Sequence, residues 1–284
     1  RLIFLAAALM FIGFAFKVSA APFHIWTPDV YQGAPTPVAA FLSAAPKAAA
    51  FAVLLRVFLT TFMPFSQQWE PLIWVVALVT MFIGNFAALV QENIKRMLAY
   101  SSIAHAGYVL IAVATHSEIG TAAAMFYLAA YAFMNVGAFA VVSHFARKGE
   151  TTVEIKDFAG LANYQPFTAA MLAFFLFSLI GIPLTGGFFG KFYVFKAAID
   201  SQFYWLTALG LVNSALAAYY YLRIVVLMYM YDPSEASQNM PPLDLGVKTV
   251  LGVCGACTVF LGVFPTALLT LVNNWAILHP NSLP

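Results

Sequence analysis

The chain has 284 residues, of which 63% are hydrophobic and only 8% are charged, with a formal net charge of +2. Soluble domains carry about 25% charged residues, so this composition excludes a soluble protein. The small net charge and the scattered basic residues also argue against nucleic-acid binding. Because the repeated apolar runs are long enough for helices rather than barrel strands, we predict an all-α polytopic membrane protein.

Eight hydrophobic spans can be marked in chain order, and each is near or above the roughly 20 residues needed to cross a bilayer. Their predicted bounds are residues 2–21, 37–63, 71–90, 94–115, 119–145, 166–196, 203–231 and 245–272. No connector is long enough for a soluble domain, so residues 1–284 are expected to form one membrane domain. The chain starts at Arg1 and shows no signal-peptide pattern, which predicts the C-terminal part of a longer protein whose N-terminal helices are absent here.

The connectors after the third and fifth spans carry most of the loop cations. These cations are Lys95, Arg96, Arg147, Lys148 and Lys156. The positive-inside rule therefore predicts that both connectors face the cytoplasm or its equivalent.

Two spans are predicted to be broken helices. The sixth contains a Gly/Pro-rich stretch at residues 181–187, and Lys191 follows it by about one helical turn. In the first span, Lys17 precedes Ser19 and Pro22 in the same way. Broken helices free backbone groups at membrane depth, and transporters build ion sites from them. The alternative is a simple proline kink beside a loop.

The charges inside the spans are basic. All eleven acidic residues lie in connectors or at span ends, whereas Lys17, Lys47 and Lys191 lie within spans. A charged lysine in hydrocarbon costs at least roughly 2.5–3.5 kcal/mol, so each is a candidate functional group. Lys47 is expected near the midplane, where burial without a counter-ion would let it gain and release a proton near neutral pH. This charge balance predicts membrane acidic residues in a missing part of the protein or in a neighbouring subunit.

The fourth span adds His105 as a candidate for proton transfer. Ser101 and Ser102 lie one turn before it and Tyr108 one turn after it, so the four side chains share a helix face. Such a polar stripe is able to relay protons. The alternative is a structural histidine that hydrogen-bonds a neighbouring helix.

The remaining polar residues are interpreted as structural. Arg56 and Arg223 lie near span ends, where a long side chain can reach the interface, and the tyrosines at 219–221 fit an interfacial aromatic anchor. His24 in the first connector is at least as consistent with structural bonding to freed backbone as with proton transfer.

The other histidines and the cysteines carry no predicted chemistry. His116 and His279 are expected to be solvated, and Cys254 and Cys257 to be small packing residues rather than a disulfide or metal site. No nucleotide, haem or zinc motif is present, so no cofactor or metal is expected in this chain.

Four segments resemble a known family over nearly the whole chain. They are PFHIWTPDVYQGAPTPVAAFLSAAPK (22–47), NIKRMLAYSSIAHAGYVLIA (93–112), GIPLTGGFFGKFYVF (181–195) and YYYLR (219–223). They are similar to the subunit N family of antiporter-like membrane subunits in bacterial respiratory NADH:quinone oxidoreductase, complex I. The sister subunits L and M and the cation/proton antiporter subunits share the PFHxWxPD core of the first segment (22–29), whereas the YQGAPTP stretch (31–37) and the downstream segments fit the subunit N family better.

The resemblance implies a fold of 14 transmembrane helices with two inverted repeats and two broken helices. The spans of this chain would be helices seven to fourteen, with Lys17, Lys47 and Lys191 as the lysines of helices seven, eight and twelve. His105 would be the histidine of helix ten, and the glutamate partner of Lys17 would lie upstream of Arg1.

The function implied is proton translocation in a bacterial inner membrane, alongside the other membrane subunits of complex I. In this hypothesis Lys17 exchanges protons with the upstream glutamate, Lys47 connects the two halves and Lys191 gates the far side. NADH, FMN, iron–sulfur clusters and quinone would be bound by other subunits. Two alternatives remain open: a subunit of a multi-subunit sodium/proton antiporter, and a non-pumping structural scaffold.

Overall fold

The computed structural model describes residues 2–146, 149–150 and 152–277. This part of the chain is helical, and its strand-like contact is a single isolated bridge between Asn93 and Glu154. The helices of eight or more residues are α1 (Leu2–Val18), α2 (Trp26–Gly33), α3 (Thr36–Arg56), α4 (Ser66–Leu89), α5 (Ile94–Ala114), α6 (Glu118–Ala146), α7 (Pro166–Ile180), α8 (Gly186–Asp200), α9 (Tyr204–Met230), α10 (Leu245–Val263) and α11 (Pro265–Ile277). The prediction of an all-α membrane fold is confirmed.

Within the described residues, six helical stretches are long and apolar enough to cross a membrane. They are Thr36–Thr61, Met63–Leu89, Ile94–Ala114, Glu118–Ala146, Tyr204–Met230 and Leu245–Val263. The first of these continues past α3 through a π-helical turn at Val57–Thr61. Of the two other predicted spans, the first holds the shorter helix α1 and the sixth is divided into α7 and α8, so the prediction of about eight spans is approximate.

Consecutive spans alternate in direction, because the connectors form two groups at opposite ends of the bundle. The first, third, fifth and seventh connectors touch one another through the following hydrogen bonds: Thr36 with Glu150, Ile94 with Val153, and Ser234 with Ala159. We call this end the loop-contact side. At the other end, His116 in the fourth connector bonds Glu70 near the start of α4 at 2.7 Å.

One of the cations used for the orientation, Lys95, is buried. Lys95 is 1% exposed and pairs with Glu150, so it is not a solvated loop lysine. Arg147 and Lys148 lie outside the described residues. The orientation drawn from the positive-inside rule stays a prediction.

Helix α5 is the centre of the bundle. In the most apolar 18-residue stretch of α5, 94% of the residues are buried inside the chain. The corresponding stretches of the other long helices are 28–67% buried. Glycines let neighbouring helices approach it closely. A Cβ on Gly84 of α4 would lie 2.6 Å from the backbone nitrogen of Ala104, and one on Gly107 would lie 2.9 Å from that of Met81. The polar residues of α5 are therefore enclosed by protein rather than by lipid.

Both predicted helix breaks are present. The first helix ends at Val18, and Ser19 takes a left-handed conformation with φ 65° before α2 begins at Trp26. The sixth span breaks between Ile180 and Gly186, where Gly181 has φ +96°. The two halves of this span overlap so tightly that a Cβ on Gly187 would lie 1.8 Å from the carbonyl oxygen of Ser178.

The eighth predicted span is not one helix, and this part of the prediction was wrong. α10 ends at Val263, and α11 begins at Pro265. Proline lacks the N–H that would continue the helix and restricts the residue before it, so Phe264 has φ −121° and ψ 57°. In α10, Cys254 and Cys257 are free thiols, and among the described residues no group of His, Cys, Asp and Glu is arranged to hold a metal ion.

Candidate functional site

Lys47 lies in the middle of α3 and is 3% exposed. Its Nζ donates to the carbonyl oxygen of Ser102 at 2.8 Å and to the Ser102 hydroxyl at 2.5 Å. In the described part of the chain, the four ion pairs involve Lys95, Arg96, His116 and Lys196, so Lys47 is buried without a carboxylate. Buried charges are ordinarily paired, and a lysine held only by neutral groups is suited to losing and regaining its proton.

Lys191 lies in α8, one turn after the helix break, and is 6% exposed. Its Nζ donates to the carbonyl oxygen of Ile180 at 2.7 Å and to the Ser214 hydroxyl at 2.8 Å. The same nitrogen lies 5.0 Å from the centre of the Tyr108 ring. Since α7 ends at Ile180, this carbonyl has no partner within its own helix, and the lysine amine satisfies it.

The two buried lysines are held in the same way. Each amine bonds one backbone carbonyl oxygen and one serine hydroxyl, from Ser102 for Lys47 and from Ser214 for Lys191. A hydroxyl can accept a hydrogen bond from a charged amine or donate one to a neutral amine. This arrangement therefore suits both protonation states of each lysine.

His105 is 2% exposed. It lies on α5 between Ser102, which contacts Lys47, and Tyr108, which contacts Lys191. Its Nδ1 is 2.7 Å from the Tyr127 hydroxyl, and its Nε2 is 3.3 Å from the Tyr221 hydroxyl, which in turn bonds Ser101. A neutral imidazole has one donor and one acceptor nitrogen, and a tyrosine hydroxyl can pair with either. Both ring nitrogens thus have partners that can exchange protons with them.

The predicted polar face of α5 joins the two lysine sites. Ser102 contacts Lys47, and Tyr108 contacts Lys191 six residues later, about 9 Å along the helix axis. His105 stands midway. Lys47 and His105 also line one narrow gap in the bundle together with Tyr127 and Tyr131. The structure therefore brings three of the four predicted site residues into one buried cluster.

Lys17, the fourth predicted residue, is outside this cluster. Its side chain is exposed on α1 and makes no hydrogen bond or ion pair with the described residues. The Lys17 side chain is therefore accessible on the surface of α1, and its predicted role in proton transfer stays a prediction.

The tyrosines at 219–221 were misassigned in part. Tyr219 is 65% exposed, as expected for an interfacial anchor, but Tyr220 and Tyr221 are 1% and 0% exposed. Successive helical residues point about 100° apart, so neighbours in one aromatic run reach different surroundings. Tyr221 enters the histidine cluster, and Tyr220 donates to the Asn85 side chain at 3.0 Å.

Sequence reasoning also missed several polar residues around the cluster. They are Asn85, Tyr127, Tyr131, Asn213 and Ser214, all within apolar spans. Asn85 donates to the side chain of Asn213 at 3.0 Å, which links α4 to α9. These residues could have been found as amide or hydroxyl side chains inside hydrophobic runs. Such a group needs a hydrogen-bond partner within the bundle.

The remaining titratable residues are peripheral. Arg56 and Arg223 are exposed, and Arg223 lies 3.4 Å from the carbonyl oxygen of Gln91. His116 was expected to be solvated, but it is two-thirds buried and pairs with Glu70. His24 is partly buried, and its Nδ1 has no hydrogen-bond partner among the described residues. His279 lies outside the described residues.

Comparison with known proteins decides the family. The family described as NADH:quinone oxidoreductase/Mrp antiporter, TM, matches residues 1–217. The chain belongs to this family. Its long apolar helices and its family confirm the prediction of a multi-pass membrane protein.

Named relatives confirm the resemblance predicted from the sequence motifs. NADH-quinone oxidoreductase subunit N 1 of Solibacter usitatus is 66% identical over 261 residues, covering 92% of this chain and 54% of the relative. Subunit N 2 of Koribacter versatilis is 57% identical over 265 residues, covering 93% and 53%. The chain thus spans about half the length of these curated relatives. Their bacterial sources agree with a bacterial inner membrane.

Solved structures show the same fold. A chain of respiratory complex I from Thermus thermophilus with bound aureothin has a TM-score of 0.82 at 36% identity, covering 94% of this chain and 58% of that one. A chain of the Mrp complex from Dietzia sp. has a TM-score of 0.87 at 23% identity, covering 96% and 58%. At 23% identity, the similarity to the Mrp complex chain shows a shared fold and nothing more.

Proposed function

We propose that this chain is part of a proton-translocating membrane subunit of NADH:quinone oxidoreductase, complex I. The observation that carries the proposal is the pair of buried lysines without carboxylate partners, joined by the polar face of α5. The identity to relatives named subunit N supports the choice of complex. Electrons would pass through NADH, flavin, iron–sulfur and quinone sites in other subunits, and this chain would move protons.

The proton path follows the contacts in the cluster. The Lys47 amine donates to the Ser102 hydroxyl on α5, which can relay a proton by releasing its own toward the cluster as it accepts one from the amine. His105 takes the next position, because its two ring nitrogens bond Tyr127 and Tyr221 and it borders the same gap as Lys47. Lys191 completes the path beside Tyr108. Among the described residues no hydrogen bond joins Ser102 to His105 or His105 to Lys191, so proton transfer along this path requires side-chain rotation or bridging water between these groups.

The lysines act as stations whose charge can be switched. In a site of low polarity, a carboxylate brought close favours the charged amine, and its removal favours the neutral one. Lys17, exposed on α1, is proposed as the station that responds to such a carboxylate on a neighbouring helix. Changes of charge at one end of the path then alter the next lysine through electrostatic repulsion.

The test replaces each buried lysine in the assembled complex. Lys47→Ala and Lys191→Ala are expected to assemble but to lose most NADH-driven proton translocation in inverted membrane vesicles. Exposed cations on the same helices provide matched controls: Arg56→Ala on α3 and Lys196→Ala on α8, where Lys196 pairs only with Asp200. Complexes with either lysine removed that pump with undiminished stoichiometry would overturn the proposal.

The family also contains antiporter subunits, so the partners need a separate test. Purification of the complex through a tag on this chain is expected to recover NADH dehydrogenase subunits. Recovery of other antiporter subunits in their place would instead favour a sodium/proton antiporter.

A further inference from the structure

A third buried lysine lies outside the cluster described above. Lys95 is the second residue of α5 and is 1% exposed. Its Nζ donates to the carbonyl oxygen of Ala34 at 2.6 Å and to Glu150 Oε2 at 2.7 Å. Unlike Lys47 and Lys191, this lysine forms an ion pair with a carboxylate within the described residues. It therefore has a different task from the proton-carrying lysines.

Glu150 also holds the start of α3. Its Oε1 accepts from the backbone N–H of Thr36 at 2.8 Å, and its Oε2 accepts from the Thr36 hydroxyl at 2.6 Å. The first N–H groups of a helix have no partner within the helix, and the residue before Thr36 is Pro35, which has no side-chain oxygen. A carboxylate from another loop thus takes the place of the missing helix cap.

The loop that carries Glu150 is itself fixed to the start of α5. The backbone N–H of Ile94 bonds the carbonyl of Val153 at 2.9 Å, and that of Ile155 bonds the carbonyl of Glu92 at 2.7 Å. Glu150 adopts φ 55°, a left-handed conformation that is unfavourable for a residue with a side chain. The surrounding contacts must hold it in place, and they aim its carboxylate between α3 and α5.

The same two helices meet again inside the membrane. Lys47 lies eleven residues after Thr36, and Ser102 lies seven residues after Lys95, about 16 Å and about 10 Å along their helices. Pro46 directly precedes Lys47 within α3. Because proline removes one backbone hydrogen bond, α3 bends most easily beside Lys47. The orientation of the first part of α3, from Thr36 to Pro46, relative to the rest of the helix therefore affects where the Lys47 amine lies.

We propose that Lys95, Glu150 and Thr36 form a clamp whose task is to set the position of Lys47 against Ser102. Glu150 and Lys95 are positioning residues, since they touch neither Lys47 nor Ser102. The inference rests on the proposed function, because Lys47 must carry protons for its position to matter. Releasing the clamp lets the start of α3 move and lengthens the contact between Lys47 and Ser102.

The test compares clamp variants in the assembled complex, measuring proton translocation per NADH oxidised. Glu150→Gln is expected to lower translocation by roughly tenfold, within the roughly hundredfold loss that a displacement of about 1 Å can produce at a reactive group. Thr36→Val removes only one hydroxyl and is expected to cost roughly threefold, whereas Thr36→Ser restores the wild-type rate. Asp29→Asn serves as the matched control, because it removes the neighbouring exposed ion pair to Arg96.

A double variant separates positioning from general support of the fold. If the clamp acts through the contact of Lys47 with Ser102, Glu150→Gln costs less in the Ser102→Ala background than in the wild type, because only the bond to the Ser102 carbonyl oxygen is left to disturb. Losses that multiply in the double variant overturn the proposal, as does wild-type translocation in both Glu150→Gln and Thr36→Val. Failure of the proposed function is distinguishable, because in that case Lys47→Ala itself translocates protons normally.

Discussion

The Ser214 hydroxyl is one of three groups that hold the Lys191 amine, and its removal gives a sharp prediction. The others are the carbonyl oxygen of Ile180 at 2.7 Å and the Tyr108 ring at 5.0 Å. Ser214→Ala deletes a hydroxyl at 2.8 Å and leaves the other two contacts in place. We expect the variant to fold and assemble but to transfer protons through Lys191 more slowly.

The size of the effect follows from the contacts. A hydrogen bond to a charged group contributes about 1.5–3 kcal/mol, and the Tyr108 contact contributes about 0.5–2 kcal/mol in both proteins. The Tyr108 ring and the carbonyl oxygen of Ile180 already contact the Lys191 amine, so they do not replace the lost hydroxyl of Ser214. Ser214 is half-buried, which favours the lower end of the range. A rise of about 1.4 kcal/mol in the barrier to proton transfer corresponds to about a tenfold change in rate.

The assay follows acidification of inverted membrane vesicles with a pH-sensitive dye while NADH oxidation is recorded. The rate of proton translocation is expected to fall about tenfold in Ser214→Ala. Ser214→Thr keeps the hydroxyl and is expected to restore most of the activity. Equal translocation by the alanine, threonine and wild-type complexes would refute the reasoning that this hydroxyl supports the charged lysine.

Three further predictions concern the cluster, the helix break and the clamp. Tyr221→Phe removes the hydroxyl between Ser101 and His105, so we expect slower proton translocation with little loss of thermal stability, checked by dye assay and by thermal unfolding of the purified complex. Gly187→Ala is expected to prevent assembly because its Cβ would meet a backbone carbonyl at 1.8 Å, whereas Gly252→Ala, where nothing lies within 4 Å, assembles normally on a native gel. Partial burial alone raises the pKa of Glu150, but hydrogen bonds from Lys95 and Thr36 outweigh it and hold that pKa below the ordinary value of 4.5. The carboxylate therefore stabilises the protein above pH 4.5, and this contribution is lost as the pH falls through the lowered pKa. The difference in melting temperature between wild type and Glu150→Gln should shrink accordingly below that pH, and a constant difference would contradict this assignment.

The fold and the location of the lysines were accessible from the sequence because membranes impose simple rules. Long apolar runs that cross a membrane are helical, and a stretch that combines a proline with several glycines, such as residues 181–187, favours a break. The break at Gly181 and the burial of Lys47 and Lys191 follow directly from these rules. The shared face of His105 with its neighbours follows from helical geometry alone.

The partners of those lysines were not accessible. Ser214 lies more than twenty residues from Lys191, and only tertiary packing brings them to 2.8 Å. Tyr221 was misassigned because an aromatic run near a span end satisfies the rule for interfacial anchors, while the rotation of α9 decides which ring faces inward. The pairing of Lys95 with Glu150 depends on a loop conformation that no periodicity encodes.

The enclosure of α5 has a consequence for how this protein is made. A helix that carries Ser101, Ser102 and His105 is a poor candidate for entering lipid alone, since each of these polar groups would meet hydrocarbon. Gly84 and Gly107 let α4 and α5 press backbone against backbone across a connector of only a few residues. We therefore expect the insertion machinery to release α4 and α5 as one hairpin, with α3, α6 and α9 closing around it afterwards. The helix that carries the proposed proton path is then the one whose insertion into the membrane depends most on its neighbours.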